Sequence, residues 1–560
     1  MTWYDEAVFY HIYPLGLTGA PKQNDYSEPV HRLNTLLPWI DHLKKLGFTA
    51  LYIGPLFESA GHGYETTDYK KLDSRLGTNE DLKAFVKACH DNSLKVIFDG
   101  VFNHTGRDFF AFKDIQKNRE NSRYRDWYCN VNFWGNTEYN DGFSYDNWGG
   151  YNLLVKLNQR NPEVKDYIAD VIRFWVSEFD VDGIRLDAAD VLDFDFMKML
   201  RWVADSVKPE FWLMGEVIHG DYSRWANAST LHSVTNYAVH KALYSSHNDH
   251  NYFELAHTIR YTGNMITPAI RLYNFVDNHD VERIYTKLTN KAHYFPVHVL
   301  LYTLPGIPSV YYGSEFGIEG KKERWSDDSL RPYINLEDHK NDYTDNPCTV
   351  LIAALGAIHR NYQEELSYGS YQELTLANRQ FAYARGALII AVNNDDHSAA
   401  LSLDAPDGTY RGLLSNTTVS ASNGKLEITL DACSGEIFAP VSTEKTVTRK
   451  EPKGQCSAKP VTSDAFVSKT NDTVTRKPDS DFSKTRPPKT SPKPEKNKES
   501  KPDASVEIPD IPYSEMTVEQ LQAVILAKMA KNGPVTDQMR KDVENNVWHD
   551  SLVNWANSFH

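Results

Sequence analysis

The sequence predicts an α/β protein: a (β/α)8 TIM barrel with an inserted segment, then an antiparallel β domain, a disordered linker and a short helical tail. Three observations carry that reading. Short β-rich runs alternate with helical patterns from residue 6 to about 360, as in a parallel sheet with crossover helices. Their number suits a (β/α)8 barrel, which takes about 250 residues or more. From about 363 the pattern changes to short strands with turn signals, the mark of an antiparallel β domain.

In chain order, the β-rich runs are AVFYHIYPLG, FTALYIGPLF, SLKVIFDGVF, VDGIRLDAA, EFWLMGEV, LYNFVDNHD and PSVYYGSEFG. Amphipathic stretches such as VHRLNTLLPWIDHLKKLG and NEDLKAFVKACHDN lie between them. These elements define a barrel over residues 1–362. After VFNHTG an aromatic-rich connection, about 104–158, runs on before the next helix. So long a loop in a compact domain usually serves function. ANRQFAYARGALIIAVNN, GTYRGLLS and SNGKLEITL assign residues 363–440 to the β domain. Residues 441–512 are rich in Lys, Pro, Ser and Thr. They offer too little apolar surface to offset the entropy of ordering, so a disordered linker is expected. In 513–560 a capping box, Thr517 with Gln520, precedes the stripe Leu521, Val524, Ile525 and Met529. Gly533-Pro534 separates it from a second stripe of Val543, Val547, Trp548, Leu552 and Trp555.

Composition narrows the function. The chain has 560 residues and a net charge of −15, which argues against nucleic acid as the main partner. Cys89, Cys129, Cys348, Cys433 and Cys456 are widely spaced and form no CxxC pair, so reduced thiols are expected. The N-terminus lacks the basic and apolar regions of a signal peptide. No stretch approaches the ~18 apolar residues of a membrane span. A cytoplasmic protein with no membrane partner is the expectation.

Four runs end in polar residues that an ordinary strand end does not need: Asp99, Asn103 and His104; Arg185 and Asp187; Glu216; and Asn278, His279 and Asp280. Arg185 and Asp187 are two apart, so in a strand they share a face, and the cation favours the ionised carboxylate. Any one run also reads as a solvated loop charge. In a parallel barrel, however, the C-terminal strand ends surround one pit. Several carboxylates gathered there oppose folding and are typical of a functional site.

DGVFNH, GIRLDAA, the Glu of MGEV and FVDNHD resemble, in order, the four signature motifs of the α-amylase family (glycoside hydrolase family 13) of retaining hydrolases and transglycosylases. GYETTDY and GIPSVYYGSEFG resemble its flanking motifs, and the likeness covers about residues 6–440. It implies that the long insertion is the family's domain B. It also implies that Asp187 is the nucleophile, Glu216 the acid/base and Asp280 a third acid that favours the distorted sugar ring. By the same resemblance, Arg185 orients Asp187, His104 and His279 bond sugar hydroxyls, Tyr64 stacks beneath the sugar and Asp99 supports the site. Glu216 is expected to begin protonated, aided by the apolar setting of Phe211 to Met214. Of the insertion's aromatic residues, most are expected in its core, with Trp148 and Tyr151 facing sugar.

LVKLN, residues 154–158, resembles the motif MPKLN of the neopullulanase and cyclomaltodextrinase group, with Val155 in place of Pro. Ile218 stands where neopullulanases typically have Trp. The implied activity is hydrolysis of α-1,4-glucosidic bonds in malto-oligosaccharides or cyclodextrins by double displacement, with an α-glucan oligosaccharide as partner. Transglycosylation or disaccharide isomerisation by the same chemistry is an alternative. So, in another class, is a non-catalytic carbohydrate-binding scaffold. Retaining hydrolysis needs no cofactor. Calcium is the one ion the resemblance leaves open, through Asn103. No convincing carboxylate partners for it stand out in the insertion, so no metal ligand is assigned.

Overall fold

The structure is a computed structural model that describes residues 2–324, 326–441, 516–532 and 543. Eight parallel strands form the barrel: β1 (Phe9–Ile12), β2 (Ala50–Ile53), β3 (Lys95–Gly100), β4 (Gly183–Leu186), β5 (Trp212–Gly215), β6 (Ser233–Val234), β7 (Tyr273–Phe275) and β8 (Ile307–Tyr311). Their order is β6-β5-β4-β3-β2-β1-β8-β7. A parallel bridge between Thr235 and Tyr273 closes the ring, and Asn236 N–H donates to the Tyr273 carbonyl at 2.9 Å. Strand β6 has only two residues, too few for a periodic signal, and no sequence run corresponds to it.

Alternate residues of each strand point into the barrel, and along several strands their character changes from one step to the next. Phe9, Ala50, Ile97, Trp212 and Ile307 make an apolar lower layer. Two residues further along the same strands come His11, Tyr52, Asp99, Met214 and Ser309. Gly183 lies beside Trp212 in register. A Cβ on Gly183 would meet the Trp212 carbonyl oxygen at 2.5 Å, so only glycine fits there. The next inward residue on that strand is Arg185. The barrel is thus plugged with hydrocarbon below and lined with polar groups above.

Outside the strands lie α1 (Leu37–Leu46), α2 (Asn79–Asp91), α3 (Pro162–Phe179), α4 (Phe194–Val207), α5 (Tyr237–Asn248), α6 (Tyr252–Met265), α7 (Tyr294–Thr303) and α8 (Pro347–Asn361). Helix α2 begins with a capping box, Thr78 with Asp81; α3 begins with Pro162 after the cap Asn161. After β5 stands a single 3-10 turn, Tyr222–Arg224. Every residue of α7 is buried, because α7 packs between the barrel and the β domain.

The insertion between β3 and α3 carries the helix Phe110–Asn118 and three short antiparallel strands: His104–Thr105, Tyr151–Lys156 and Asn147–Trp148. Phe109, Phe112, Trp127, Tyr128, Phe143 and Tyr145 are buried, so most of its aromatic side chains are core. Tyr151 is exposed and Trp148 half-buried.

The β domain holds β9 (Tyr371–Leu376), β10 (Gln380–Arg385), β11 (Leu388–Asn393), β12 (Ala399–Asp404), β13 (Gly408–Gly412), β14 (Thr418–Ser422), β15 (Lys425–Leu430) and β16 (Ser434–Pro440). Their order is β9-β10-β11-β16-β13-β14-β15-β12. Period-two patterning divides its residues. Phe381, Tyr383, Ile390 and Val392 join the core shared with the barrel. Ala382, Ile389 and Ala391 join Leu403, Tyr410 and Phe438 in a core of the domain's own.

The described residues 516–532 and 543 belong to a second unit. It contains α9 (Val518–Asn532), with the expected capping box: Thr517 N–H donates to Gln520 Oε1 at 2.8 Å, and Gln520 N–H to Thr517 Oγ1 at 3.3 Å. Met516, Leu521, Val524, Ile525 and Val543 form a separate apolar cluster. Beyond Val441 the expected linker lies outside the described residues, as does the second stripe apart from Val543. Among the described residues no helix is long and apolar enough to cross a membrane.

Candidate active site

Asp99 of β3 and Arg185 of β4 are direct register partners, and so are Arg185 and Met214 of β5. Arg185 therefore stands between two neighbouring strands at the upper end of the barrel. Its Nη1 donates to Asp99 Oδ1 at 2.8 Å and to Asp187 Oδ1 at 3.1 Å. Its Nη2 stands 2.7 Å from Glu216 Oε2. One guanidinium thus bonds three carboxylates from three strands. Sequence spacing ties Arg185 to Asp187 alone; the meetings with Asp99 and Glu216 follow from strand register.

Asp187 and Glu216 each lie immediately past their strand, so both reach the rim. Ala188 follows in the left-handed region (φ 47°), an uncommon conformation for a residue with a side chain. It turns the chain sharply, and its N–H donates to Glu216 Oε2 at 3.1 Å. Tyr237, the first residue of α5, donates to Glu216 Oε1 at 3.3 Å and accepts from Asn278 Nδ2 at 3.1 Å. Burial pushes the Asp187 carboxyl well above its ordinary range; Arg185 opposes the rise, and Glu216, Asp99 and Asp280 add to it. Close carboxylates of this kind titrate together.

Asp280 joins from the loop after β7. Its Oδ2 lies 2.9 Å from His279 Nε2, and its Oδ1 2.9 Å from Arg331 Nη2. Burial works to raise this carboxyl, yet His279, Arg331 and Arg185 prevail and hold it well below the usual range. Tyr64 OH donates to Asp99 Oδ2 at 3.0 Å and lies 2.5 Å from His279 Nε2. Its ring stacks on His279 at 5.7 Å and 12°. Burial, then the Asp99 charge, raise the Tyr64 phenol far above its ordinary value, so it stays a donor. Asp99 also accepts from Tyr52 OH at 2.8 Å and supports the site from below.

His104 sits differently from the expectation that it bonds sugar. It is fully buried, with Nε2 at 3.1 Å from the Tyr64 carbonyl oxygen and Nδ1 at 3.2 Å from Asn103 Nδ2. Burial lowers its pKa to about 3. In this arrangement it holds the backbone of Tyr64.

Asn103, the residue offered for calcium, is fully buried. Its Oδ1 accepts from Gln159 Nε2 at 3.2 Å, and its Nδ2 faces His104. Among the described residues no group of three His, Cys, Asp or Glu side chains is placed to hold a metal ion. The Asn103 side-chain oxygen is thus already engaged by a side-chain donor.

Four participants carry no motif signal of their own. Tyr237 and Arg331 touch the carboxylates directly. Asp190 lies close enough to Glu216 that burial, then that charge, raise its pKa to about 6. His11 stacks on Tyr52 at 4.1 Å and meets His279 edge-on at 5.2 Å. The two histidines, with Arg185, Glu216 and Asp277, line a cavity of about 20 Å³ beneath the carboxylates.

Comparison with known proteins identifies the family. Residues 32–350 match the family model described as alpha amylase, catalytic domain. A cyclomaltodextrinase from Thermoanaerobacter pseudethanolicus is 32% identical over 72% of this chain and 73% of its own. Another, from a Bacillus species, is 30% identical over 75% of this chain and 77% of its own. A solved cyclomaltodextrinase structure superposes with a TM-score of 0.71 at 25% identity, covering 78% of each chain. With matching motifs, barrel and carboxylates at the strand ends, the chain belongs to the α-amylase family of glycoside hydrolases.

Proposed function

We propose that this protein hydrolyses α-1,4-glucosidic bonds in malto-oligosaccharides and cyclodextrins by double displacement. The carrying observation is the single guanidinium of Arg185 that bonds Asp99, Asp187 and Glu216 at the barrel rim. It supports a nucleophile and an acid/base close together, as a retaining mechanism needs.

In the first step an Asp187 oxygen attacks the anomeric carbon while Glu216 gives its proton to the departing glycosidic oxygen. A covalent glycosyl ester forms and the glycosidic bond breaks. In the second step Glu216 takes a proton from water, whose oxygen attacks the same carbon and frees Asp187. Asp280, held ionised by His279 and Arg331, accepts hydrogen bonds from ring hydroxyls and favours the oxocarbenium-like ring. The names of the relatives, cyclomaltodextrinases among them, support short or cyclic α-glucans as substrate. Cys89, Cys129 and Cys433 are free thiols and support a reducing, cytoplasmic setting.

One observation favours glycosyl transfer as a second outcome. Ile218, two residues beyond Glu216, is exposed and offers an acceptor sugar an apolar surface. Time courses on maltotriose and β-cyclodextrin test both readings. Glucose and maltose alone mean hydrolysis, longer products mean transfer, and no turnover of either substrate overturns the proposal.

A further inference from the structure

Trp134 is 98% exposed, and its setting holds it there. It sits in a tight turn of the insertion, where its N–H donates to Asn132 Oδ1 at 3.0 Å and Gly135 N–H to the Asn132 carbonyl at 3.1 Å. Asn132 is fixed in turn by a two-way backbone bridge to Ser144, at 2.8 and 2.9 Å. A Cβ on Gly135 would meet Ser144 Oγ at 2.1 Å, so glycine lets the turn lie close against Ser144. The neighbouring Phe133 does the packing, against Phe143 at 5.6 Å and under the Arg119 guanidinium at 5.3 Å. Trp134 contributes nothing to this core. An ordered turn that presents a whole indole to water points to a ligand rather than to folding.

Beside the indole lies a pocket of about 720 Å³, lined among others by Glu120, Asn130, Asn132, Ser144 and Asp146. The Glu120 carboxylate and Ser144 hydroxyl have no protein partner among the described residues. Two carboxylates repel an anionic ligand. Amide, hydroxyl and carboxylate groups around one aromatic face match a neutral polyol, whose C–H faces stack on the ring while its hydroxyls bond the rim. None of these residues belongs to the carboxylate site.

We propose that Trp134 and this pocket form a second α-glucan site, which binds a glucose ring of a long chain outside the catalytic pit. The ligand class rests on the function proposed above. The test compares wild type, Trp134→Ala and Trp134→Tyr on maltotriose and on amylose. For Trp134→Ala, KM on amylose rises about tenfold, the loss of one stacking contact; kcat on amylose and both constants on maltotriose stay unchanged, and Trp134→Tyr recovers part of the effect. An unchanged KM on amylose, or equal changes on both substrates, overturns the proposal. So does a change of sedimentation coefficient with KM on amylose unchanged, which would assign Trp134 to contact with another copy. Should neither substrate be turned over, native electrophoresis in gels containing amylose separates the two ideas. Retardation of wild type but not of Trp134→Ala keeps the binding site while the hydrolytic reading fails; equal migration overturns the site.

Discussion

Arg185 Nη1 and Asp99 Oδ1 stand 2.8 Å apart on register-paired residues of adjacent strands. This bond fixes the cation from which the two carboxylates at the rim are hung. Arg185 is 3% exposed, so its loss leaves three carboxylates without their common partner.

For Arg185→Ala, unfolding free energy is expected to fall by about 3–5 kcal/mol, as when one member of a buried ion pair is removed, and turnover is expected to disappear. Denaturant melts check the first point. A loss under about 1 kcal/mol would show that the three acids do not depend on this cation.

Asp187→Asn separates catalysis from stability. Removal of the nucleophile is expected to cut kcat on maltotriose by several orders of magnitude with an unchanged circular dichroism spectrum. The Asp187 carboxyl is raised in the folded state. Its contribution to stability is therefore present below the unfolded value and lost as pH rises through the folded one. At pH 7 the buried charge opposes folding, so the amide should melt higher than wild type. Equal or lower melting at pH 7 contradicts this account of the site.

Asp190, with its pKa near 6, obeys the same sign. Its stabilising contribution is present below about 3.8 and fades as pH rises through 6. Asp190→Asn should gain about 1–3 kcal/mol at pH 7 and little near pH 4. Thermal melts across that range are the check, and a pH-independent difference would refute it.

Asp280 has the opposite sign. His279 and Arg331 hold its carboxyl low, so the stability it contributes is present above the unfolded value and lost as pH falls through the folded one. Arg331→Met removes one of those two partners and its positive charge. The acid limb of kcat/KM should move to higher pH, with the alkaline limb in place. Profiles that superpose after scaling would mean that Arg331 does not tune Asp280.

Much of the site is legible in sequence because its chemistry sits at fixed positions on parallel strands. Asp99, Arg185, Asp187, Glu216 and Asp280 each end a readable run. What escapes reading depends on where the chain travels between the runs. Tyr237 reaches Glu216 only because the two-residue β6 delivers the start of α5 to the rim. Arg331 arrives from the segment beyond β8. His104 turns toward Tyr64 because its strand pairs with Tyr151–Lys156, a pairing that no spacing announces. The alternation of strand and helix is plain over most of the barrel. It fades where β6 is short and where one turn follows β5.

Helix α7, buried on every side, bears on how the polypeptide matures. By the time residue 362 leaves the ribosome, all eight barrel strands have been made, yet the outer surface of α7 is still bare oil. Only the next eighty or so residues, the strands β9–β16, supply Ile390, Val392 and Ile437 to cover it. A catalytic half released early would be a sticky intermediate in need of a chaperone, and a chain cut at 362 should precipitate even though every acid of its active site is present.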